Sequence, residues 1–240
     1  MNAYSVSRKG VGRKVNQDSL LCEMEPVGKL PNLFLVADGM GGYNGGDFAS
    51  GFTVDHMKEY IEHAGDSSLI STLKNAISDT NSKLRAKAEE LPELKGCGTT
   101  LVASVIEGDC VHVANIGDSR LYLLQGGNLR QITEDHSVVE ALVKKGELKR
   151  SEARFASNKN VITRALGSEP VVEADFFEVP IEDGTRIFMC TDGVSNMMDD
   201  RTMESILNEY KNPVDACTVL VNTARDNGGR DDATAMIIDI

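Results

Sequence analysis

Between residues 100 and 132, four apolar runs of strand length follow one another with almost nothing between them. They span 100–106, 110–116, 119–124 and 129–132, broken by Glu107-Gly108-Asp109, Gly117-Asp118 and Gly126-Gly127. A parallel crossover needs about a dozen residues, whereas a hairpin loop needs about two. The chain must therefore build antiparallel sheet here, and the run predicts a meander at the centre of the fold.

The flanks predict helices between further strands. Leu33-Phe34-Leu35-Val36-Ala37 is an apolar run that stops at Asp38-Gly39, as a buried strand stops at a turn. Residues 48–63 have helical periodicity. Asp66, Ser67 or Ser68 can cap the next helix, where Leu69, Leu73, Ile77, Leu84 and Ala88 form one stripe, with Ala76 and Thr80 beside it. Pro92 lies just past its end. Residues 135–164 are polar, with helical pieces at 138–145 and 152–156, and read as an inserted or mobile segment. Strands are expected at 171–179, 186–191 and 233–240. Asp200 is placed to cap a helix over 201–210, and Pro213 to open another that Gly228 stops. Helices between blocks of antiparallel strands give an α+β fold.

Charge narrows the function. With 25 basic and 37 acidic residues in 240, the net charge is −12. That balance disfavours nucleic acid and anionic membrane surfaces as partners. Residues 1–12 are polar, without the apolar core of a signal peptide, and no run reaches the roughly 18 apolar residues of a membrane span. The five cysteines are odd in number and lack C-x-x-C spacing, which fits free thiols in a reducing compartment. A cytoplasmic, soluble protein with one domain over 1–240 is expected.

Aspartates recur at the edges of the expected strands. Asp38, Asp118 and Asp192 each follow an apolar run, Asp231 precedes the final strand, and Asp18 leads into Ser19-Leu20-Leu21-Cys22. A lone Asp-Gly is an ordinary turn. Five such carboxylates brought together repel unless cations sit among them, and hard divalent ions take oxygen ligands. In Asp38-Gly39-Met40-Gly41-Gly42 the glycines allow close backbone approach, and the Gly39 carbonyl is itself a potential ligand.

Seven ordered motifs carry a resemblance. They are Arg13 with Asn16-Gln17-Asp18, Asp38-Gly39-Met40-Gly41-Gly42, Gly98-Thr99-Thr100, Asn115-Ile116-Gly117-Asp118-Ser119-Arg120, Asp135-His136-Ser137, Thr191-Asp192-Gly193, and Gly229-Arg230-Asp231-Asp232-Ala233-Thr234. The set resembles the metal-dependent protein serine/threonine phosphatases of type 2C, in their bacterial catalytic-core form. The resemblance implies a four-layer αββα sandwich, two antiparallel sheets flanked by helices, with two Mn²⁺ or Mg²⁺ ions between the sheets. It implies that Asp38 bridges both ions, that the Gly39 carbonyl binds one, and that Asp192 and Asp231 hold the other. Asp18 would act through metal-bound water, Asp118 at a weaker third ion, and Arg13 on the substrate phosphate. Residues 135–165 correspond to a variable flap.

The implied reaction is hydrolysis of phosphoserine and phosphothreonine monoesters by direct attack of a metal-bridging hydroxide. Phosphorylated substrates of a serine/threonine kinase are the implied partners, and a monomer is the default. Gln17 stands where the family often has Glu, and Met40 where many members have His, so no side chain is assigned as leaving-group acid. His136 is open between that role and a cap or flap anchor. Arg120 is open between orienting carboxylates and binding phosphate. A non-catalytic phosphoprotein-binding regulator on the same fold is the alternative. A thiol phosphatase is disfavoured because no cysteine opens a Cys-x5-Arg loop, and a nuclease by the charge.

Overall fold

The side chains of Leu33 to Ala37 are all buried, and they alternate between two cores. Leu33, Leu35 and Ala37 pack with helical residues such as Met57, Ile61 and Leu73. Phe34 and Val36 pack instead with Leu121, Ile187, Met189 and Met236 of other strands. A strand apolar on both faces needs a cover on each, and here one cover is helical and the other a second sheet.

The computed structural model describes residues 1–41 and 45–240. In chain order the elements are β1 (Asn2–Arg8), β2 (Asp18–Glu23), β3 (Leu33–Met40), α1 (Gly42–Glu62), α2 (Leu69–Glu90), a 3₁₀ turn (Pro92–Leu94), β4 (Gly98–Thr99), β5 (Leu101–Glu107), β6 (Cys110–Ile116), β7 (Arg120–Gln125) and β8 (Asn128–Gln131). Then come α3 (Val138–Lys144), α4 (Arg150–Ala153), β9 (Asp175–Pro180), β10 (Arg186–Cys190), α5 (Asp192–Ser195), α6 (Asp200–Glu209), α7 (Pro213–Asp226) and β11 (Ala233–Asp239).

One sheet has the order β1-β11-β10-β7-β8, the other β2-β3-β5-β6-β9 with β4 on β3, and every pairing is antiparallel. Helices α1 and α2 cover the second sheet. Helices α6 and α7 cover the first, around Tyr122, Phe188, Leu207 and Leu220. This is the expected αββα arrangement. No helix among the described residues is long and apolar enough to cross a membrane.

The expected central meander is corrected. Strands β5 and β6 pair as a hairpin, and so do β7 and β8, but β6 and β7 lie in different sheets. The break at Gly117-Asp118 is a corner that passes from one sheet to the other. Gly117 sits at φ +100°, and a Cβ there would lie 2.5 Å from the Thr100 side chain, so glycine is required. Other differences are small. The polar N-terminus forms β1, an edge strand on β11 held by Tyr4 and Val6. Asp199, not Asp200, caps α6 by accepting from the Thr202 amide. Ser68 caps α2, and Asn212 caps α7 ahead of Pro213. Strand β9 begins later than expected, after the exposed Val171.

Candidate metal centre

The sheet ends deliver the acids. Asp18 and Asp38 face each other across the β2–β3 pair. Asp192 follows β10, Asp231 precedes β11, and these two strands are neighbours in the first sheet. Asp118 occupies the corner between the sheets. A cleft of about 310 Å³ results, lined by Asp38, Gly39, Asp118, Asp192 and Asp231 together with Arg13. Gln17, Met40, Gly41, Thr100, Asn160 and Ile162 complete its wall. Gly42 of the glycine-rich motif lies outside the described residues.

Asp18 does not line the cleft; it is buried behind it. Its Oδ2 accepts from Thr234 Oγ1 at 2.6 Å and from Thr191 Oγ1 at 2.9 Å, so it ties the second sheet to the first. Asp38 is fixed through its backbone. Its amide donates to Thr100 Oγ1, and its carbonyl accepts from the Thr100 amide and Thr99 Oγ1, each at 2.9 Å. Gly39 admits no side chain, because a Cβ would lie 1.9 Å from the Gly46 carbonyl oxygen. Asp192 opens α5, and its Oδ2 accepts from Asn196 Nδ2 at 2.9 Å, one helical turn on.

Arg13 reaches the opposite wall. Its Nη2 lies 2.5 Å from Asp231 Oδ1, and its Nη1 donates to Gln17 Oε1 at 2.9 Å. The adjacent Asp232 has a different task. It is almost fully buried and accepts from the Gly10 and Gln17 amides, both at 2.8 Å, which holds the loop that carries Arg13.

These carboxyl groups do not ionise comfortably together. Burial pushes Asp18 up to about 7, with the charges of Asp232 and Asp192 adding to it and the two threonine hydroxyls opposing. Burial and Asp231 push Asp192 up to about 6. Asp38 is raised well above the usual carboxylate range by burial and then by Asp18, Asp192, Asp118 and Asp231. Burial, Asp192 and Asp135 raise Asp118 likewise. Asp18 Oδ1 and Asp192 Oδ1 are buried without any hydrogen-bond partner. A buried carboxylate oxygen without a donor is costly, and a divalent cation answers both the orphaned oxygens and the mutual repulsion. Among the described residues no three carboxyl, imidazole or thiol groups are already set to grip one ion, and Asp231 is turned to Arg13. The donor set is all oxygen, which suits Mg²⁺ or Mn²⁺ rather than a soft metal.

A family model described as protein phosphatase 2C matches residues 10–225. The chain belongs to that family. It is 38% identical over 211 residues to the serine/threonine phosphatase stp of Listeria welshimeri, an alignment covering 86% of this chain and 84% of the relative. The serine/threonine phosphatase Stp1 of Staphylococcus aureus superposes with a TM-score of 0.91 at 30% identity, covering 99% of this chain and 94% of that one. The catalytic domain of PstP in complex with two manganese ions superposes with a TM-score of 0.87 at 31% identity, covering 99% and 97%.

Two further polar residues of the family motifs, His136 and Arg120, make contacts that hold the fold around the cleft. His136 does not line the cleft. Its backbone amide donates to the Gly117 carbonyl at 2.9 Å, its Nδ1 accepts from the Gly117 amide at 3.0 Å, and its Nε2 lies 3.1 Å from Asp175 Oδ2. Burial lowers its pKa, so the ring stays neutral and keeps accepting. Of its two open roles, the geometry favours the anchor. Arg120 grips Asp135 through Nε and Nη2 and donates to Tyr122, so it orients a carboxylate beside the cleft. Sequence reasoning assigned no role to Thr191, Thr234, Asn196 or Asp232. Three of these stood inside quoted motifs; Asn196 was signalled only by its i+4 spacing from Asp192.

Proposed function

We propose that this chain hydrolyses phosphoserine and phosphothreonine monoesters on proteins, using two Mn²⁺ or Mg²⁺ ions. One observation carries the reading: four carboxyl groups and one arginine converge on a single cleft, with buried carboxylate oxygens left without donors beside it. In this reading Asp38 would serve both ions, the Gly39 carbonyl would hold one, and Asp192 and Asp231 would hold the other. Asp18 acts through water, and Asp118 serves a weaker third ion. When bound, the ions supply Lewis acidity for the phosphoryl oxygens and lower the pKa of the attacking water.

The protein's own contribution is placement. Arg13 exchanges its Asp231 partner for the substrate phosphate, which its planar fork holds in bidentate fashion. Asp232 keeps the Arg13 loop in register during that exchange. Asn196 and the two threonines fix the rotamers of Asp192 and Asp18, so little reorganisation accompanies the reaction. Met40 lines the cleft and has no proton to give, so it is not the leaving-group acid.

We place this activity in one catalytic domain over 1–240 with a flap at about 135–165, acting as a cytoplasmic monomer against a serine/threonine kinase. The test is phosphate release from a phosphothreonine peptide during Mn²⁺ titration. Saturable, EDTA-sensitive release is expected. Tight peptide binding with no release at saturating Mn²⁺ would instead favour a non-catalytic regulator.

A further inference from the structure

A second cavity, of about 550 Å³, adjoins the metal cleft and shares Asp118 and Asp192 with it. Its other walls come from α3, α4 and the start of α6. Its lining holds six acids: Asp118 and Asp192 belong to the metal cleft, Asp200 accepts from the Tyr122 hydroxyl at 3.4 Å, and the other three have donors of their own. Asp135 takes Arg120 Nε at 2.9 Å and Nη2 at 2.6 Å, and Gln131 Nε2 at 2.9 Å. Glu140 takes Arg150 Nη2 at 2.7 Å. Asp199 is spent capping α6.

Of its five bases, Arg120 and Arg150 are paired with those acids, and the other three are not so held. Lys159 and Arg201 line this cavity and have no ion pair among the described residues. Arg154 reaches only Asp199, at 3.9 Å, and its guanidinium lies 5.7 Å from the ring centroid of the exposed Phe155. A chain of net charge −12 thus presents two cations without an ion pair, and a third paired only at 3.9 Å, beside its carboxylate-lined cleft. Cations in that position attract an anion on the molecule that enters the cleft.

We propose that this groove binds the polypeptide flanking the phosphorylated residue and selects substrates that carry a second anionic group there, a carboxylate or a second phosphate. Arg154, Lys159 and Arg201 are its specificity-determining residues. The proposal rests on the phosphatase reading above. The cations are half-exposed or exposed, so each contact is screened by salt and modest alone, and together they supply about tenfold in selectivity.

The experiment compares kcat/KM at low ionic strength for phosphothreonine peptides that differ only in their flanks: alanine, aspartate, lysine, or a second phosphothreonine, scanned on both sides. The anionic flanks are expected to exceed alanine by about tenfold, mainly through KM, and lysine to fall below it. The gap should shrink to about twofold in roughly 0.5 M salt. A larger gain for the second phosphate than for aspartate assigns the site to phosphate; equal gains assign it to charge. Arg154→Glu with Arg201→Glu should abolish or invert the preference, and the salt series on the unaltered protein decides the matter if that variant does not fold. Equal kcat/KM for all flanks, or a preference untouched by the variant, overturns the groove proposal and leaves the phosphatase reading standing. No release from any peptide with Mn²⁺ overturns both.

Discussion

The cleft between the sheets and the groove beside it are built from the same residue types with opposite balance. In the cleft, four carboxyl groups share one arginine, and behind it Asp18 Oδ1 has no donor at all. In the groove, Asp135 and Glu140 each have a dedicated arginine, and Lys159 and Arg201 stand without an ion pair among the described residues. Burial explains why this matters. Desolvation raises the pKa of Asp18, Asp38, Asp118 and Asp192, so these carboxyls compete for protons. The cleft is proposed as a place for cations and the groove as a place for anions on the same substrate.

The sharpest way to break that contrast is to remove charge from the cleft. Asp38→Asn and Asp192→Asn should each lower phosphate release from a phosphothreonine peptide on the order of a thousandfold. Near-normal turnover in both would remove the basis for a cation site. The groove's contrast is tested by stability instead. Arg120→Leu leaves Asp135 largely buried without its base and should cost about 3 kcal/mol or more in chemical denaturation. A cost below about 1 kcal/mol would mean that the pairing is incidental.

How far the sequence revealed this contrast depends on how local each cause is. Strand β3 was legible because five apolar residues run into Asp38-Gly39, and the same pattern marked Asp192. The corner at Gly117-Asp118 was not, because a break of that length suits a hairpin or a change of sheet equally well. The Thr100 side chain lying against Gly117 explains why the corner needs glycine, and that contact is 17 residues away in sequence. Strand β1 was hidden by its polar composition, since an edge strand half open to solvent needs few apolar residues. The motif resemblance named Asp18, but its place behind the cleft depends on Thr191 and Thr234, 173 and 216 residues further along the chain. No window of local sequence contains that contact.

Smaller effects sharpen the picture. Thr234→Val removes the 2.6 Å hydrogen bond to Asp18 and should weaken Mn²⁺ binding about tenfold in calorimetry. Unchanged affinity would place Asp18 outside the metal's reach. The pH dependence of the metal-free protein follows from the raised carboxyl groups. Asp18 at about 7 and Asp192 at about 6 keep protons in the folded state that the unfolded chain releases near 4. Stability is therefore greatest at low pH on this account and falls as pH rises from about 4 through about 7. Tm should drop by on the order of 5 °C between pH 5 and pH 8, and saturating Mn²⁺ should remove the drop. A metal-free Tm that rises over that interval would contradict the assigned repulsion.

Anomalous diffraction from crystals soaked in MnCl₂ tests the central claim most directly. Two strong manganese peaks are expected within the cleft, against Asp38, Asp192 and Asp231, with Arg13 released from Asp231. A fully soaked crystal with no peak in the cleft, and the Arg13–Asp231 pair intact, would contradict the account.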